Sequence, residues 1–355
     1  MKLAERAKAA VRPAKSGGSN TKKINLALQG GGAHGAYTWG VIDRILEDGR
    51  IEIEAISGTS AGAMNAVVLV DGWVKGGRDG AREALHKFWR GVSRAGGLSA
   101  PPQNALDAFM SFWQVPRVSS TGLFNFWSHV TSPFDLRPEK INPLRDLLNR
   151  QVDFDSVQSC NDIRLFISAT NVRTGKIKVF RDKEVDADAV AASACLPLLF
   201  EAIEVDDEAY WDGGYMGNPA LFPFFSESSC DDILLVQINP IIRDEVPTNT
   251  HEIMERVSEI TFNASLLREF RAIDFVNRLI EENRLDGTKY RQMRLHRIDA
   301  DAALNEYSAS TKFDTRWTFF EKLYEVGRES ADAWLKENYR HIGNKQTLDL
   351  RQAFS

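Results

Sequence analysis

Within the first 70 residues two short aliphatic segments each run into glycines and then into a helix-like pattern, and this repetition constrains the fold more than any other feature of the chain. The first, Ile24-Asn25-Leu26-Ala27-Leu28-Gln29, alternates, stops at Gly30-Gly31-Gly32, and gives way over 36–48 to apolar residues at helical spacing (Tyr37, Val41, Ile45) closed by Gly49. The second runs over 53–57 into Gly58-Thr59-Ser60-Ala61-Gly62, after which 63–69 reads as a buried helix. Two strand-turn-helix units in succession predict a mostly parallel α/β sheet. Further strands are predicted at 163–169, 176–180, 202–205 and 233–238.

At 355 residues the chain could form two domains or one large α/β domain with insertions. Over 98–137 the regular pattern dissolves into prolines and seven aromatics, among them Phe109, Trp113, Phe126 and Trp127, which reads as a cap inserted into the sheet domain. Beyond Pro247, apolar residues recur at helical spacing over 251–283 and again over 313–334, so 246–355 is predicted to be a helical extension packing on the rest. Residues 1–23 hold seven Lys or Arg against Glu5, a charge of +6 that leaves −11 on the remainder of a chain whose net charge is −5. Such an arm reads as a disordered tail, with contact to an anionic membrane surface as its competing use. The acidic body has no basic stripe, which argues against nucleic acid. No apolar run reaches membrane-spanning length and the N-terminus has no signal-type h-region, so neither a span nor secretory export is expected. Cys160, Cys195 and Cys230 lack C-x-x-C pairing, which indicates neither a disulfide framework nor a zinc site and fits a reducing cytoplasm.

The chemistry-bearing residues sit at the turns. Gly58-x-Ser60-x-Gly62 lies between strand and helix, where a sharp bend projects a serine hydroxyl from the sheet edge and the following helix adds its N-terminal amides. Gly30-Gly31-Gly32-Ala33-His34-Gly35 also joins strand to helix, and its consecutive backbone N–H groups form an anion cradle. The same glycines satisfy G-x-G-x-x-G, so dinucleotide binding stays open on spacing alone, although no acidic strand end follows about 20 residues on. A serine needs a base. One source is Asp212 in Tyr210-Trp211-Asp212-Gly213-Gly214-Tyr215, a carboxylate on a turn after a short strand. The other is a late histidine, His251, His296 or His341, each of which reads as a surface residue because none lies in a glycine-marked turn after a strand.

Taken in order, GGGAHG, GTSAG and DGG resemble the patatin-like phospholipase family over residues 24–240. The resemblance implies a three-layer α/β/α fold with a catalytic domain at 24–245. It makes Ser60 the nucleophile and Asp212 the general base, and it places the oxyanion hole at Gly31, Gly32 and Ala33 with Ala61 adding to it. Gly30, His34, Gly35, Gly58, Gly62, Gly213 and Gly214 become motif support. The family's glycine loop commonly carries Arg or Lys where this chain has His34, so a permanent charge is missing there. The resemblance further implies a lipid acyl hydrolase acting on a phospholipid, lysophospholipid or other fatty-acyl ester, with no cofactor and no metal. The expected place of work is the cytoplasm or the inner face of a membrane, reached by the basic arm. Competing readings are an acyltransferase or Ser-Asp-His esterase on a related fold, or a non-catalytic protein that binds lipid or a partner. Acyl-chain preference and oligomeric state are not legible.

Overall fold

The computed structural model describes residues 21–99, 143–197, 200–304 and 309–354. Both expected units are present: β1 (Lys22–Leu28) leads through the glycine turn to α1 (Gly35–Asp48), and β2 (Ile51–Gly58) through the serine turn to α2 (Ala61–Ser99), which is broken at Gly76 and Gly77. Then follow α3 (Pro143–Gln151), α4 (Phe154–Ser159), β3 (Arg164–Asn171), β4 (Ile177–Arg181), α5 (Ala187–Ser193), β5 (Ile203–Val205), β6 (Glu208–Asp212), α6 (Pro223–Glu227) and β7 (Asp232–Gln237). The C-terminal part holds α7 (Thr250–Glu281), β8 (Arg294–Asp299), α8 (Trp317–Asn338) and α9 (Leu350–Phe354).

The strands form one sheet in the order β5-β6-β3-β2-β1-β7-β8, with β4 also paired to β3. From β3 through β8 the neighbours run parallel, while β4, β5 and β6 add antiparallel pairs. Parallel strands buried on both faces need near-continuous apolar runs, and β7 with Ile233, Leu234, Leu235 and Val236 all at 0% exposure is such a run. One face is covered by α1, α2 and α8 around Tyr37, Trp39, Phe88 and Phe320; the other by α6 and α7 around Phe166, Phe224, Leu266 and Phe270. The result is the expected three-layer α/β/α architecture.

Three boundaries differ from the sequence reading. Strand β1 begins at Lys22, paired with Ile51, so the last two residues of the basic arm are sheet. Its Lys22 Nζ donates to the carbonyls of Arg340 (3.0 Å) and Ile342 (2.7 Å). Residues 98 and 99 continue α2, and the rest of the cap-like segment lies outside the described residues, as do residues 1–20 of the arm. The extension is not purely helical: β8 adds a parallel strand beside β7. Its basic residues hid that strand in the sequence, because Arg294 and His296 enter the fold by pairing with Asp232 at 2.7 and 3.0 Å rather than by apolar burial.

Helix α8 is bound intimately to α1. The two cross where each carries a glycine: a Cβ on Gly40 would strike the Tyr324 backbone, and one on Gly327 the Tyr37 backbone. Charges seal the rim of this crossing. Arg82 pairs with Asp43 at 2.9 Å, Arg328 with Glu47 at 2.7 Å and with Asp43, and Arg44 with Asp332 at 2.8 Å. Among the described residues no helix is long and apolar enough to cross a membrane.

Candidate active site

The carboxyl ends of β1, β2 and β7 lie level, with Leu28 opposite Gly58 on one side and Val236 on the other. In an open parallel sheet this is the edge where loops can converge on a ligand. The glycine loop leaves β1 and the serine turn leaves β2 side by side.

Ser60 occupies the bend with φ +54°, a left-handed conformation that costs a non-glycine residue energy and turns its side chain out of the strand direction. The bend is held on several sides. The Thr59 N–H donates to the Leu28 carbonyl (3.3 Å), the Thr59 hydroxyl to the Gly217 carbonyl (2.6 Å), and the Ser60 N–H to Ser193 Oγ on α5 (2.9 Å). Gly62 and Gly30 are required by proximity. A Cβ on Gly62 would meet the Leu28 backbone, and one on Gly30 would lie 2.7 Å from the Ser60 Cβ. Gly58 packs on the turn of Gly62, and Ala61 is the first residue of α2, where a helix N–H lacks an intrahelical acceptor.

Strand β3 brings the aspartate to the serine. It pairs Ile167 with Gly58 and Ala169 with Asp212, so the ends of β2 and β6 reach the same stretch of one strand although Ser60 and Asp212 are 152 positions apart. Asp212 Oδ1 accepts the Gly214 N–H at 2.7 Å, and the Ser60 side chain lies near enough to the carboxylate to lower its pKa. The Asp212 backbone is fixed through its N–H to the Cys195 carbonyl (2.8 Å) and through its carbonyl to the Thr170 hydroxyl (2.8 Å). Burial of this 1%-exposed carboxylate pushes its pKa from 3.8 up to about 7, against the lowering by Gly214 and Ser60. Gly213 lies against the Ser168 carbonyl and Gly214 against the ring of Phe262 on α7.

In the glycine loop the Gly30 N–H donates to Asn218 Oδ1 and the Gly30 carbonyl accepts Asn239 Nδ2, both at 2.7 Å. Gly31 to Ala33 then turn into a short 3-10 segment, with the His34 N–H on the Gly31 carbonyl at 3.3 Å. Among the described residues the Gly31 and Gly32 N–H groups have no hydrogen-bond partner, which leaves them free to meet an oxygen anion. His34 is buried with Nε2 at 2.7 Å from Thr311 Oγ1, and Gly35 starts α1. Burial, with Lys312 and Arg243 adding to it, lowers the His34 pKa to about 3, so the ring is neutral at pH 7 and does not replace a permanent cation.

The late histidines are elsewhere. His296 is a correction to the sequence reading: it is wholly buried in β8, with Nδ1 at 2.9 Å from Thr347 Oγ1 and Nε2 at 3.0 Å from Asp232, which begins β7 at the edge opposite the serine turn. His341 lies near His296 and Lys22 at that same opposite edge, and the side chain of His251 falls outside the described residues. Among the described residues no cluster of His, Cys, Asp or Glu could hold a metal ion. The sequence reading assigns no site role to Asn218, Asn239, Ser193, Thr311 or Lys312. The first two carry a usable signal, since each is an Asn-Pro step just after a sheet strand or its turn. The last two come from a polar stretch with no pattern.

The model of a family described as patatin-like phospholipase matches residues 26–225, more than half of the chain. Among solved structures, VipD from Legionella pneumophila is 16% identical with a TM-score of 0.32, over 94% of this chain and 79% of that one. ExoU of Pseudomonas aeruginosa, solved in complex with SpcU, is 16% identical with a TM-score of 0.32 over 90% of this chain, which spans 54% of the ExoU chain. No curated protein matches the chain.

Proposed function

The chain belongs to the patatin-like phospholipase family, an ester hydrolase family, and from that premise we propose that it cleaves fatty-acyl esters of lipids with a Ser60–Asp212 dyad through an acyl-enzyme. The observation that carries this reading is a buried carboxylate beside a serine held at positive φ, with no histidine of β8 or the C-terminal turn nearby. Ser60 Oγ attacks the acyl carbon while Asp212 takes its proton. The developing oxyanion meets the N–H groups of Gly31 to Ala33 and Ala61. Asp212 returns the proton to the departing alcohol, then accepts one from water, which attacks the acyl-serine. Collapse of the second tetrahedral intermediate releases the fatty acid and restores Ser60. A carboxylate with pKa near 7 is matched to this work at neutral pH, and an oxyanion hole of this kind contributes about 3–4 kcal/mol per donor to the transition state.

Activity-based labelling tests the dyad directly. A fluorophosphonate should label wild type, leave Ser60→Ala unlabelled and label Asp212→Asn slowly; wild type should release fatty acid from at least one of a panel of phospholipids, lysophospholipids and neutral esters. Labelling that survives Ser60→Ala would remove Ser60 as the nucleophile, whereas an active Asp212→Asn beside an inactive His251→Ala would support the rival triad or acyltransferase.

A further inference from the structure

Beneath the glycine loop runs a buried polar network that the dyad chemistry leaves unused. Gln29 Oε1 accepts the N–H groups of Ile238 and Asn239, each at 2.9 Å, and Gln29 Nε2 donates to Asn263 Oδ1 on α7 at 3.0 Å. Asn263 Nδ2 reaches the Pro240 carbonyl at 2.9 Å, which fixes the end of β7. Within this frame the Asn239 carboxamide is oriented with its Nδ2 on the Gly30 carbonyl and its Oδ1 facing Lys312, whose Nζ donates to it at 2.9 Å. Lys312 is half-buried. Burial draws it below the usual lysine range, Glu259 and Glu255 oppose that, and Arg243 adds to it. Lys312 also touches the loop through its backbone, for its carbonyl occupies the place a Cβ on Gly32 would take, and Gly32 has φ +59°.

One unbroken chain of dipoles follows. It runs from the Lys312 Nζ–H to the Asn239 carboxamide oxygen, from that group's Nδ2–H to the Gly30 carbonyl oxygen, and through the Gly30–Gly31 peptide to the Gly31 N–H. Each amide transmits polarisation from its oxygen to its nitrogen, and hydrogen bonds in such chains strengthen one another where water is excluded. We propose that Lys312 is a positioning residue for the oxyanion hole: its positive end, relayed through Asn239 and the Gly30–Gly31 peptide, orients and polarises the Gly31 N–H. This rests on the reading that the Gly31 amide meets the oxyanion. An interaction felt only as charge develops on the acyl oxygen belongs to kcat rather than KM.

The test uses the full chain with a soluble p-nitrophenyl ester and fluorophosphonate labelling. Lys312→Met, close in length but neutral and without a donor, should lose about 10- to 100-fold in kcat and in labelling rate, with KM within about threefold. Lys312→Arg should recover most of that loss, and Thr311→Val, which releases the neighbouring hold on His34 without changing charge, should lose far less. Should Lys312→Met fail to fold, Lys312→Gln carries the same comparison. The relay is overturned by a kcat within twofold of wild type in Lys312→Met. It is equally overturned if the Met and Arg variants fall together with a rise in KM, which marks a mere strut. A wild type that the fluorophosphonate does not label overturns the dyad itself, a result distinct from either.

Discussion

As the proposed base, Asp212 would couple catalysis to stability through one proton. A base must be ionised, so with a pKa near 7 the rate on a soluble ester should climb about tenfold per pH unit below 7 and level off above it. A flat profile from pH 5 to 8 would remove Asp212 as the base. The stability effect has the opposite sign. The folded pKa lies above the ordinary 3.8, so the native state binds the extra proton between about pH 4 and 7, and stability contributed by the neutral form is lost as pH rises through that window. Three units correspond to roughly 4 kcal/mol as an upper bound. Asp212→Asn, whose side-chain oxygen can still accept the Gly214 N–H, should therefore be inactive yet more resistant to denaturant than wild type at pH 8, with the advantage vanishing near pH 4. Equal denaturation midpoints for the two proteins at pH 8 would contradict a buried, costly carboxylate.

Among the elements, the α1–α8 crossing is where the C-terminal part is joined to the sheet domain. Gly40 and Gly327 let the two backbones touch, so Gly327→Val should force the helices apart and cost about 3 kcal/mol or more, whereas Gly76→Ala, at a kink with nothing within 4 Å, should leave the thermal midpoint nearly unchanged. Similar midpoints for both variants would mean that α8 is only loosely attached. The crossing also shows what was legible beforehand. Units β1-α1 and β2-α2 announced themselves because their apolar periods are strong and their turns carry glycine, and the Ser60 and Asp212 turns could be found because each chemistry needs a special bend. Strand β8 was not legible, since its Arg294 and His296 are satisfied by Asp232, a partner 62 and 64 positions away that no local pattern discloses. For the same reason Thr311 and Lys312 escaped notice: their importance lies wholly in what they touch.

At the scale of the whole molecule the charge is divided more sharply than the arm of 23 residues suggested. Lys22 and Lys23 belong to β1, which leaves five Lys or Arg and one Glu in residues 1–20, a charge of +4 ahead of an acidic body. Each basic residue near an anionic lipid surface contributes about 1 kcal/mol. Deleting residues 1–20 should thus weaken sedimentation with phosphatidylserine vesicles at low salt, while turnover of a soluble ester stays as it was; equal binding with and without them, at both low and high salt, would assign the arm no such role. The clamp of Thr311 and Lys312 on the glycine loop bears on how the protein is made. Synthesis runs from the N-terminus, and about 250 residues separate the serine turn from Lys312, roughly 12–50 s of translation at ordinary rates. Through that interval the serine turn exists without the segment that packs against the glycine loop beside it.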